Sequence, residues 1–147
     1  MKRLAKRFAA VALALSLAPA AAAAQPPALV SPGYWEATTD FLGVSHKTER
    51  WCVEPKNIVK FMLGPCNHHY QCDYPVQQVG GGKAHFEGVI KNASERYSVH
   101  GDATYTADTL DLKMSGSGHW KLVPIAGFGA IQAHRLAPDC PEGAKKL

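Results

Sequence analysis

Cys66-Asn67-His68-His69-Tyr70-Gln71-Cys72 places two thiols and two imidazoles within seven residues, the donor types that hold zinc or copper in a tetrahedral site. The spacing matches no standard metal motif, and the adjacent His68 and His69 would point to opposite faces of an extended segment. A disulfide loop with surface histidines accounts for the same residues. A second imidazole pair lies further along. A hairpin closed around Asn92-Ala93 sets His85 opposite His100 with Cβ atoms about 5 Å apart, where two imidazoles could share a metal or sense pH. A wet sheet face also tolerates histidine with neither role, so metal binding through His68, His69, His85 and His100 is the minor reading. No cofactor is expected.

Other catalytic constellations are poor. The chain has no G-x-S-x-G elbow, and Gly80-Gly81-Gly82 precedes a strand rather than a helix, which leaves no helix N-terminus to cradle phosphate. Asp108 and Asp111 flank a turn, where turn chemistry explains them. Asn92-Ala93-Ser94 matches a glycosylation acceptor, a pattern common in any sequence. Trp35, Trp51 and Trp120 read as core or barrel-mouth packing rather than a substrate platform. The expectation is a protein that is not an enzyme.

What positions these residues begins with where the chain works. Met1 to Ala24 opens with Lys2, Arg3, Lys6 and Arg7, runs through apolar Phe8 to Leu17, and ends in Ala22-Ala23-Ala24 before Gln25, the pattern of a cleaved secretory signal. The apolar run is about half of the roughly 20 residues a membrane-spanning helix needs, so the mature protein is expected not to span a membrane. Cleavage near Ala24 takes 24 of 147 residues and leaves 123 as a single β domain over 25–147, with an ordered core over about 32–140. The 16 basic residues fall to 12, against 12 acidic. The basic excess belongs to the leader, and a nucleic-acid partner is not expected. Periplasm or secretion is the expected location, and four cysteines, Cys52, Cys66, Cys72 and Cys140, read there as two disulfides.

Period-two alternation dominates the mature chain. Ala84, Phe86, Gly88 and Ile90 form one apolar register, Tyr97, Val99, Gly101, Ala103 and Tyr105 a second, and Leu110, Leu112, Met114, Gly116, Gly118 and Trp120 a third. The intervening residues are nearly all polar, as an antiparallel sheet with one solvated face requires. Turns fall at Leu42-Gly43, Gly80 to Gly82, Lys91 to Ser94 and Ala107-Asp108. One short helix is expected after Pro55, with Ile58, Phe61 and Met62 on one face and Gly64-Pro65 as its stop. Pro124, Gly127 and Gly129 argue for an irregular apolar loop over Val123 to Gly129 before a last strand at about Ala130 to Leu136. Gln25 to Ser31 and Glu142 to Leu147 read as frayed ends. The fold class is mainly β, an antiparallel meander curled into a partial or closed barrel.

Pro32-Gly33-Tyr34-Trp35-Glu36 after a signal peptide, Cys52-Val53-Glu54-Pro55 opening a helix, and Asp139-Cys140 closing the last strand resemble the small exported bacterial proteins of the family "domain of unknown function 3617". The resemblance covers nearly the whole mature chain and implies an antiparallel β domain with no established activity. This chain departs from the family at Pro138, where glycine usually precedes Asp-Cys, and at Val89-Ile90, where many relatives carry a cysteine. Cys72 lies about eight residues before the glycine turn, so its cross-strand neighbour would be Val89 or Ile90, which offer no thiol. A local Cys66–Cys72 bridge with Cys52 tied to Cys140 would use all four cysteines; the other two pairings stay open at this level.

Two readings of function follow. In one, Phe86, Tyr97, Val99, Tyr105, Leu112, Met114 and Trp120 line a cavity for an apolar or lipid-like small molecule in the envelope. In the other, these residues and the helix fill one another, leaving a structural or interaction module whose partner is an envelope protein. The strand glycines bear on both, since they leave inward room yet also permit the curvature that closes a wall.

Overall fold

The computed structural model describes residues 29–64, 66, 69–120 and 122–147, with the backbone alone at Trp120. The expected signal segment, Met1 to Ala24, and His68 lie outside the described residues. Seven antiparallel strands form one sheet: β1 (Gly33–Phe41), β2 (Ser45–Val53), β3 (Gln71–Gly80), β4 (Lys83–Lys91), β5 (Glu95–Tyr105), β6 (Thr109–Trp120) and β7 (Val123–Ala137). Their order across the sheet is β2-β1-β7-β6-β5-β4-β3. β3 to β7 make the expected meander, β1 adds to the free side of β7, and β2 and β3 remain unpaired with each other. Of the two forms expected, the sheet takes the open one, a partial barrel.

That topology dictates the place of the helix. The chain leaves β2 at one edge and must enter β3 at the other. It does so through a 3-10 turn, Pro55–Asn57, and helix α1, Ile58–Met62. Five residues are too few for a helix to hold by propensity, so burial holds it. Ile58, Phe61, Met62 and Leu63 join the same buried cluster as Trp35 of β1, Phe86 of β4 and Leu112 of β6. Phe61 meets the Trp35 ring at 5.1 Å between centroids. Gly64 stops the helix at φ +82, where its bare Cα lies close to Met114, Leu112 and Phe86.

The faces alternate as the sequence pattern requires. Trp35, Ala37, Ala84, Phe86, Ala103, Tyr105, Leu110, Leu112, Ile131 and Ala133 are buried, and among the described residues no buried residue is polar or charged. Three details differ from expectation. First, β7 runs unbroken from Val123, so the expected loop over Val123 to Gly129 is strand. β1 ends opposite Gly129, and with Phe128 O taken by the Leu42 amide the first five residues of β7 pair only to β6. A strand with one free side tolerates Pro124, because no neighbour there needs its N–H.

Second, the β4–β5 hairpin closes one residue later than expected. Asn92 Oδ1 accepts hydrogen bonds from the Ser94 and Glu95 amides, so Asn92 opens the turn and Ala93-Ser94 forms its tip. His85 then pairs with Asp102, and His100 with Glu87. Third, the described ends of the chain are tied down. The Ser31 amide donates to Ala107 O, Val30 is buried, and the C-terminal segment bridges the edge of β2 through Cys52 N to Lys145 O (2.7 Å) and Leu147 N to Cys52 O (3.3 Å). A single backbone bridge leaves no periodic trace in sequence, and the tail covers part of an edge that would otherwise invite pairing.

Candidate functional site

Three surfaces hold the residues with functional potential: the concave apolar face, the polar face, and the sheet end where the β1–β2 and β6–β7 hairpins turn. The concave face is occupied by the chain's own side chains. Phe86, Tyr105 and Leu112 are buried, and Val99 and Met114 are half-buried against the core. The glycines of this face are roofed by a large neighbour on the preceding strand. A Cβ at Gly101 would stand 2.4 Å from the Phe86 ring, at Gly116 2.9 Å from Val99, at Gly118 2.6 Å from the Tyr97 ring, and at Gly88 2.8 Å from the Tyr74 ring. Phe86, Val99 and Tyr97 sit directly opposite those glycines in the register. The rings therefore lie flat across the next strand, filling the room that the glycines leave. The Trp120 side chain lies outside the described residues.

The cysteines form the two disulfides Cys52–Cys140 and Cys66–Cys72, with Cα–Cα distances of 5.6 and 6.0 Å. Cys72 pairs across the ladder with Ile90, which offers no thiol. With both sulfurs of the 66–72 loop in a disulfide, that loop has no thiolate to give a metal. His69 is exposed on it.

On the polar face the structure does not bring His85 and His100 opposite each other. His85 Nδ1 meets Asp102 at 2.8 Å and Nε2 meets Glu87 at 3.2 Å, while His100 Nε2 shares a hydrogen bond of 2.8 Å with Ser115. An imidazole with a carboxylate at each nitrogen donates from both only when protonated, and the Asp102 bond, followed by Glu87, holds its pKa above the ordinary value. Among the described residues no group of three or more His, Cys, Asp or Glu is arranged to hold a metal. An open groove of about 720 Å³ passes this array, lined by Gln78, His85, Asp102, Asp111 and Lys113, with both signs of charge represented.

The third surface was not singled out by its chemistry. Leu122 is 95 % exposed, Val44 82 % and Phe128 62 %, and Phe41, Leu42, Val123 and Ile125 are exposed with them. The β1–β2 turn abuts the outer part of β7. The Leu42 amide donates to Phe128 O at 3.0 Å, and Leu42 and Phe41 flank the bare Cα of Gly127. Leu42 itself stands at φ +55, a left-handed conformation that glycine or asparagine adopts at less cost. Its sequence signal is Phe41-Leu42-Gly43-Val44 and Leu122-Val123-Pro124-Ile125, apolar residues at turn positions where polar ones are usual.

No protein-family model, curated protein or solved structure matches this chain. Among the described residues no helix is long and apolar enough to cross a membrane.

Proposed function

We propose that this chain is an exported, non-enzymatic β module of the cell envelope that acts through its surface, its apolar face closed by its own helix. One observation carries the reading: α1 packs on the concave face, with Phe61 on the Trp35 ring and Met62 buried in the cluster that holds Leu112, while flat-lying rings roof the strand glycines. An acyl chain seated among Phe86, Leu112 and Met114 would have to displace α1, which weighs against the carrier reading. The disulfides support an oxidising, exported location, as do the leader-like first 24 residues and the resemblance to exported proteins of domain of unknown function 3617. Native mass spectrometry of protein purified from its own envelope tests the reading. An apo mass without uptake of an environment-sensitive apolar dye is expected, and a stoichiometric copurifying lipid would overturn it.

A further inference from the structure

We propose that the end of the sheet formed by the β1–β2 and β6–β7 hairpins docks on an anionic lipid bilayer. The proposal rests on the surface-acting reading above and names the partner of that surface. Its apolar payload is the set Leu42, Val44, Leu122, Val123, Ile125 and Phe128, exposed on the β1–β2 turn and on the outer part of β7, which meet at Leu42 and Phe128. β7 extends six residues past the end of β1, roughly 20 Å at strand rise, while β6 and β5 stay paired up to its start, so these side chains stand on both faces of a free sheet edge. A free edge with apolar side chains on both faces suits a fluid interface, which closes around whatever enters it.

Charge selects the kind of bilayer. The sequence holds no Asp or Glu over residues 41–48 or over residues 112–138, a stretch that spans most of β6 and all of β7. His46 and Lys47 follow the first hairpin, and Arg96 stands opposite His119 beside the second. The carboxylates that border the first turn sit in ion pairs, Asp40 with His46 Nδ1 at 3.4 Å and Glu49 with Lys47 Nζ at 3.1 Å, and Glu95 beside the second accepts from Tyr70 Oη and Asn92 Nδ2. An apolar edge on acid-free chain, with Arg96 beside it, complements anionic headgroups above an acyl layer. A second copy of the chain is a poorer occupant, because an acid-free edge offers a copy of itself no charge complement.

Leu42 supplies an independent reason. At φ +55, followed by Gly43 at φ +67, its position favours asparagine or glycine. Leucine there costs the hairpin stability, and bilayer insertion gives that cost a use.

The test is partition of the processed protein, its N-terminus verified by intact mass, between buffer and vesicles containing phosphatidylglycerol or made of phosphatidylcholine alone. Binding to the anionic vesicles is expected, with attenuation by salt. Leu122→Ser with Phe128→Ser weakens it roughly tenfold or more, as the loss of buried apolar area implies. Leu42→Asn weakens it while leaving the fold as stable or more so, which separates docking from misfolding. Val59→Ser, at an exposed apolar site on α1, leaves it unchanged. No vesicle binding, equal binding by the end variants, or a dimer dependent on this end in place of vesicle binding would overturn the proposal. Those results leave a clean apo native mass untouched, so the surface-acting reading fails only on its own test.

Discussion

β6 and β7 pass through two environments, and the halves of this one hairpin follow different rules. In the near half Leu110, Leu112, Ile131 and Ala133 are buried in the cluster that α1 joins. In the far half the same inward register reads Gly116, Gly118, Gly127 and Ile125, and beyond it Val123 and Leu122 stand in water. Alternation alone does not decide burial; what crosses the face does. A helix of five residues is enough to turn half of the sheet into a core and leave the other half as a surface.

The two disulfides follow the same division. Cys52–Cys140 closes the covered end over a separation of 88 residues, and Cys66–Cys72 closes a loop of separation 6 near the far end. Replacing the first pair by serine is expected to cost about 4–5 kcal/mol in the chain-entropy account, and the second about 2 kcal/mol. Urea unfolding of both double variants measures the difference; equal losses would break the contrast.

Core truncation comes next. Leu112→Ala, at a fully buried site, is expected to lose about 2–5 kcal/mol, whereas Phe128→Ser in the far half changes stability by no more than about 0.5 kcal/mol. Glycine substitutions sharpen the comparison. Gly118→Ala puts a Cβ 2.2 Å from Arg96 O, a backbone atom, and is expected to cost about 1–3 kcal/mol. At Gly127 the nearest atom is the flexible end of Leu42 at 3.3 Å, so Gly127→Ala is expected to be close to neutral. Thermal unfolding of the two alanine variants reads this directly.

The smallest effect belongs to His85. Its pKa is raised above 6.5, first by Asp102 and then by Glu87. The stability it adds is therefore complete below that ordinary value and is lost as pH rises through the raised folded value. On an exposed face the contribution is small. An NMR titration is expected to place its midpoint above 6.5 and to show Asp102→Asn bringing it down; an unchanged midpoint in the variant would remove the Asp102 bond as the cause.

Strands β4 to β6, the helix and the polar face were legible in the sequence because period-two alternation and glycine or Ala-Asp turns are local signals. The β1–β7 pairing was not, since it joins residues nearly a hundred positions apart. Pro124 misled for a local reason: proline bars a central strand but not one with a free side. The histidine register slipped because Asn92 was placed inside the turn that its side chain opens. Whether Phe86, Tyr97 and Val99 enclose a cavity or cover glycines was beyond the alternation pattern, which assigns a face and says nothing of what lies on it. The exposed hairpin end was written in plain view as apolar turn residues, but it becomes a surface only once the two hairpins are brought together.

A proton NOE spectrum of protein purified from its own envelope tests most directly whether the chain fills its own apolar face. Cross-peaks from the Phe61 ring to Trp35 and from Gly64 to the Leu112 and Met114 methyls are the predicted result. Acyl-chain protons in contact with Phe86 and Leu112, with α1 signals displaced from them, would contradict it.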